Sequence, residues 1–248
     1  EHAAGKRELK KQRETVFSRT PLISIVIPMY NTPEEYLKEL LDSVTGQTYR
    51  NWQLCLADGS EDDRIGSFIQ EKYGEDKRIV YKKLKENRGI SENTNAAIDL
   101  AAGEYVLLCD HDDVLTPDAL FHIAKAITEK NADVIYTDED KVSMDGKHYF
   151  EPNFKPDFNL FRLRENNYIC HIFAFRKNLL DKVGAFRSEY DGAQDFDLIL
   201  RCCEKTEHIY TESSVSLEKP YEFHSCESGE QEICFRSGKK SNRGSLSE

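Results

Sequence analysis

Five short apolar runs, most of them followed by a stretch of helical period, restrict this chain to very few folds. Leu22–Ile27 alternates β-branched residues and stops at Pro28, Trp52–Ala57 runs into Asp58-Gly59-Ser60, and Arg78–Leu84 precedes Asn87-Arg88-Gly89. Tyr105–Cys109 discharges into Asp110-His111-Asp112-Asp113, and Asp133–Tyr136 completes the series. Runs of this length bounded by turn residues read as buried strands. After Thr32 and Pro33, Tyr36, Leu37, Leu40, Leu41 and Val44 keep a 3.6-residue period up to Gly46, which predicts a capped helix. Further helices are predicted over Asp62–Tyr73, Ser91–Ala102 and Thr116 to about Lys130. Strands alternating with helices imply βαβ units and an α/β fold with a mostly parallel sheet flanked by helices.

The pattern changes after Thr137. An acidic segment, Asp138-Glu139-Asp140-Lys141, leads into a predicted hairpin turning at Asp145-Gly146. A strand is expected over Tyr168–Phe175, a short helix over Lys177–Lys182, and an amphipathic helix opens at Gln194-Asp195 with Phe196, Leu198, Ile199 and Leu200. Residues 1–20, with Leu9, Val16 and Phe17 at near-helical spacing, form a lead-in, and 21–208 form the domain, in halves 21–113 and 114–208. Residues 209–248, rich in Ser, Glu, Lys and Gly, have neither period and are expected to lack regular structure.

With 248 residues, 39% of them hydrophobic, the chain can bury one real core. Its net charge of -11 argues against a nucleic-acid partner. An anionic substrate then needs a metal ion or local Arg and Lys to hold it. No apolar run approaches the ~20 residues of a membrane span and no signal core precedes the domain, so membrane contact is expected to be peripheral. Seven Cys without paired spacing read as reduced thiols, hence a cytoplasmic setting.

The chemistry concentrates after the fourth strand. If the chain stays extended there, residues two apart point the same way, so Asp110 and Asp112 converge while His111 turns aside. Two carboxylates beyond the carboxyl end of a strand suit Mg²⁺ or Mn²⁺ and the ligand-binding edge of an α/β sheet. Asp113 reads as a helix-approach or helix-capping carboxylate rather than a ligand, Asp138–Asp140 as a solvated face, and Phe154, Phe158, Phe161 and Tyr168 as packing. No G-x-G-x-x-G follows a strand, which disfavours a dinucleotide-dependent oxidoreductase. A nucleotidyltransferase would carry a basic, Gly-rich loop where this chain has Pro28-Met29-Tyr30-Asn31.

These motifs, in their order and spacing over roughly 21–208, resemble family 2 glycosyltransferases of the GT-A fold, in particular the rhamnosyltransferase-like enzymes of bacterial cell-surface polysaccharides. Pro28-Met29-Tyr30-Asn31 matches the family's P-x-Y-N, Asp58-Gly59-Ser60 its D-G-S, Asn87 and Gly89 its N-x-G, Asp110-His111-Asp112 its D-x-D, and Gln194-Asp195 its E-D or Q-D. The resemblance implies that Pro28, Tyr30, Asn31, Asp58, Asn87, Arg88 and Asp110 line the nucleotide, and that Asp112 with Asp110 holds Mn²⁺ or Mg²⁺. It implies that Asp138 and Gln194 border the sugar or acceptor, and that Asp195 is the general base of an inverting transfer. The donor would be a UDP- or dTDP-sugar and the acceptor a saccharide or lipid-linked saccharide. The alternative is a catalytically silent GT-A module that binds nucleotide or sugar.

The family usually continues past His208 with Leu-Tyr-His-Trp-Arg and a closing helix. Ser214 to Glu218, read one base later on permitted codons, gives that same pentapeptide, which points to a frameshift near residue 210 and an impaired enzyme. Resequencing the gene decides the matter.

Overall fold

The computed structural model describes residues 4–143 and 148–221. A basic helix, α1 (Lys6–Glu14), precedes the alternating series: β1 (Ile23–Met29), α2 (Glu34–Thr45), β2 (Trp52–Asp58), α3 (Arg64–Tyr73), β3 (Ile79–Lys83), α4 (Ile90–Ile98) and β4 (Tyr105–Leu108). There follow β5 (Val114–Leu115), α5 (Ala119–Lys130), β6 (Val134–Ser143), β7 (Tyr149–Asn153), α6 (Leu160–Glu165), β8 (Phe173–Arg176), α7 (Leu180–Val183), α8 (Gln194–Cys203) and β9 (Ile209–Tyr221).

One sheet runs through the molecule in the order β3-β2-β1-β4-β8-β6-β9-β5, with β7 on β6. The first four strands pair in parallel, while β8 lies antiparallel between β4 and β6. The strands within 21–113 are therefore all parallel and the remainder of the sheet is mixed. β1 is buried along its whole length and continues through Pro28 to pair Met29 with Asp58. Successive residues serve opposite faces: Ile23, Ile25 and Ile27 belong to one core cluster with Leu37, Leu40 and Leu41 of α2 and Ile123 of α5, whereas Val26, Cys55 and Ala57 belong to a second with Ala97 of α4 and Leu198 of α8.

Two expectations change. β9 occupies 209–221, where no regular structure was expected; it lies parallel to β6 across a register shift after Thr137. A polar sequence is held there by backbone pairing with a central strand rather than by its own apolar period. The rest of the tail, 222–248, and the Asp145-Gly146 turn lie outside the described residues, although the flanking β6 and β7 pair antiparallel as a hairpin would. Phe154 and Phe161 are largely exposed, Phe161 at 79%, while Phe158 packs partly buried against the core and Tyr168 is buried. Among the described residues no helix is long and apolar enough to cross a membrane, and Cys55, Cys109, Cys170, Cys202 and Cys203 are free thiols.

Candidate active site

The parallel half switches direction between β1 and β4, each side of which leads away to different neighbours, so the crevice beyond their carboxyl ends is where such a sheet binds a ligand. The exits of β1 and β2 are bonded together there. Gly59 N donates to Met29 O at 2.9 Å and Asn31 N to Ser60 Oγ at 2.8 Å, with Asn31 at a φ of 52°. A Cβ on Gly59 would stand 3.0 Å from Asn93 Nδ2 and 3.2 Å from Asn87 Cα, so the third loop closes against the second. Asn87 Oδ1 accepts from Gly89 N and Asn93 Nδ2 at 3.1 and 2.8 Å. Tyr30 is 45% exposed beside these loops, while Arg88 Nε pairs with the surface carboxylate of Glu86 at 2.9 Å.

Asp58 lies beneath this surface, fully buried. One oxygen accepts from Ser60 N at 2.8 Å and Ser60 Oγ at 2.6 Å, the other from Tyr81 OH at 2.7 Å and Lys83 Nζ at 3.2 Å. Burial pushes its pKa up, but the bonds from Ser60, Tyr81 and Lys83 outweigh that and hold it below the usual carboxylate value.

After β4 the chain does not stay extended. It turns at His111-Asp112, with Asp113 N donating to Asp110 O at 3.4 Å, so that residues three apart converge instead of residues two apart. Asp110, fully buried Asp113 and His171 bring one ligand atom each within 4.8 Å of one another, and His171 Nε2 lies 3.4 Å from Asp110 Oδ2. Asp113 is thus no helix cap; Asp118 precedes α5. Asp112, half-buried at the turn, is not among the three. Burial lowers the His171 pKa, but contact with Cys170 and the charges of Asp110 and Asp113 push it up to about 10. Two carboxylates and an imidazole are a donor set for Mn²⁺ or Mg²⁺, with the nitrogen favouring Mn²⁺.

His171 was not singled out from sequence, because it arrives from the segment before β8, far along the chain from Asp110. Its loop is held from inside: Lys155 Nζ, fully buried, donates to Ile169 O at 2.5 Å, to His171 O, and to Glu139 Oε2 at 3.2 Å. Burial lowers the Lys155 pKa against the pull of Glu139. Lys155 N donates to Asp138 Oδ1 at 2.7 Å; Asp138 is 4% exposed, and its Oδ2 has no hydrogen-bond partner among the described residues. Burial raises the Asp138 pKa. Alongside, a cavity of about 400 Å³ is lined by Glu139, Asp140, Glu151, Cys170 and His171 among others.

Asp195 sits in the first turn of α8, and its Oδ2 accepts from Asn167 Nδ2 at 3.0 Å. Gln194 instead folds back, its Oε1 accepting from Gly192 N at 2.7 Å.

Against known proteins, Glycosyl transferase family 2 matches residues 24–184, a span that holds Asp110, Asp113 and His171 but ends before Asp195. The O-antigen biosynthesis protein RfbC of Myxococcus xanthus is 34% identical over 194 residues, 77% of this chain and 15% of RfbC. The hyaluronan synthase of Pasteurella multocida is 28% identical over 206 residues, 82% of this chain and 21% of the synthase. The chain therefore spans about a fifth or less of these relatives. The crystal structure of S. aureus TarS 1–349 superposes with a TM-score of 0.66 at 25% identity, covering 80% of this chain and 60% of that one. The same TarS fragment in complex with UDP-GlcNAc gives 0.66 at 24% identity, covering 87% and 64%. A family match over most of the folded residues, on a sheet that presents its acidic turn at the switch point, means that this chain belongs to glycosyl transferase family 2.

Proposed function

We propose that the chain is the catalytic unit of an inverting, metal-dependent transfer of a sugar from a UDP- or dTDP-sugar to a saccharide or lipid-linked acceptor, in the synthesis of a bacterial cell-surface polysaccharide. The observation that carries this reading is the convergence of Asp110, Asp113 and His171 beyond β4. These three would hold Mn²⁺ or Mg²⁺, with Asp112 in the same turn beside them. The bound ion supplies positive charge against the charge that develops on the departing diphosphate. The exits of β1, β2 and β3, with Tyr30, Asn31 and Asn87 on them, flank the nucleoside, while Asp58 holds that surface from below. Asp195 takes the proton of the acceptor hydroxyl, whose oxygen bonds to the anomeric carbon as the carbon–diphosphate bond breaks, inverting the centre. Asp138 and the cavity beside His171 border the acceptor, and the work is done in the cytoplasm at the inner membrane face. Names among the relatives, O-antigen biosynthesis and hyaluronan synthesis, and the UDP-GlcNAc complex of TarS, support this choice of substrates.

The purified chain is assayed for transfer from a panel of UDP- and dTDP-sugars with Mn²⁺. Asp113→Asn and His171→Ala are expected to lower kcat by about 100-fold or more, the scale of losing a transition-state charge stabiliser. Turnover unaffected by both substitutions and by a chelator would sink the reading. A second reading, nucleotide binding without turnover, draws on the chain's departure at Ser214–Glu218 from the Leu-Tyr-His-Trp-Arg ending. Calorimetric binding of UDP with no product from any donor would select it.

A further inference from the structure

Asn167 stands between the two halves of the chemistry. Its side-chain nitrogen donates to Asp195 Oδ2 at 3.0 Å, and its side-chain oxygen accepts from the backbone N–H of Cys170 at 3.2 Å. Cys170 directly precedes His171, whose imidazole faces Asp110 at 3.4 Å. A primary amide suits this position because it offers a donor to a carboxylate and an acceptor to an N–H on one short fork. A carboxylate there would repel Asp195; an apolar side chain would leave both neighbours unmet. The carboxyl torsion of an aspartate is broad and roughly two-fold, so an Asp in the first turn of a helix does not choose its own orientation.

We propose that Asn167 is a positioning residue for the transfer. It fixes Asp195 through one oxygen, leaves Oδ1 to receive the acceptor's proton, and ties the base to the loop that carries His171. Base and cation site are then held at a set separation, as an in-line attack needs. The inference rests on the reading of Asp195 as the base.

The test compares Asp195→Asn, Asn167→Ala and Asn167→Asp at saturating Mn²⁺. Asp195→Asn should lower transfer by more than about 100-fold and leave binding of the sugar nucleotide within twofold; if transfer persists, the base reading itself fails. With that established, both Asn167 variants should lose at least about tenfold in kcat while KM for the sugar nucleotide stays within twofold. The two variants separate positioning from mere support of the loop. Asn167→Asp keeps the shape and the acceptor for Cys170 N–H but sets a negative charge against Asp195, so it should be at least as damaging as Asn167→Ala. Near-normal kcat in Asn167→Asp overturns the proposal, whether or not Asn167→Ala is impaired. Should Asn167→Ala unfold, the isosteric Asn167→Asp decides alone.

Discussion

Asp58 illustrates how a residue that reads as a ligand-binding carboxylate can also be a structural one. It draws Ser60, Tyr81 and Lys83 into one buried cluster at the carboxyl end of β2. Asp58→Asn leaves Lys83 facing a neutral amide and should cost about 2–3 kcal/mol of stability at neutral pH, measured by denaturant unfolding. Because its folded pKa lies below the ordinary 3.8, this contribution is complete above that value and is lost as pH falls through the folded one. The gap between wild type and variant should therefore narrow below about pH 4, where an unpaired carboxyl begins to protonate; a constant gap down to pH 3 would contradict the account. Asp110 and Asp195 were legible as residues, one by its place after an apolar run and the other by resemblance at a helix start. Asp113, His171 and Asn167 were not. The first depends on a turn that breaks extended alternation, and the other two on a loop that only the tertiary fold brings back to β4.

At the scale of elements, β1, β2 and β4 were readable because each is buried on both faces and ends in turn residues. β9 was not readable, since nothing in Thr211-Glu212-Ser213-Ser214 announces a strand. Its place beside β6 makes it a structural requirement: a chain stopped after His208 leaves one edge of β6 without its partner. We expect such a truncation to lower Tm by at least about 5 °C or to aggregate, on the scale of 1–2 kcal/mol for a domain of this size; an unchanged Tm would show that β9 adds nothing. β9 also begins where the frameshift reading places its break, so gene resequencing bears on this strand as well. Because the proposed cation ligands Asp110, Asp113 and His171 all precede that break, the cation site is expected to survive any change of tail.

On the whole molecule, sheet order does what no single stretch can. Inserting β8 antiparallel between β4 and β6 brings the segment 167–171 alongside the end of β4, joining a parallel half to a mixed half across one crevice. Ligand linkage tests that arrangement. A UDP- or dTDP-sugar at about 100 times its Kd with Mn²⁺ should stabilise the fold by about 2.7 kcal/mol, or roughly 5–10 °C in Tm. Asp113→Ala should remove the manganese-dependent part of this shift more completely than Asp112→Ala. The reverse order would restore the extended-strand geometry expected from sequence. The stitched exits of β1 and β2 carry one more consequence. A nucleoside arriving there meets a shelf with little slack left to lose, so capture should be governed by shape and spare donors rather than by any wrapping of the protein around its guest.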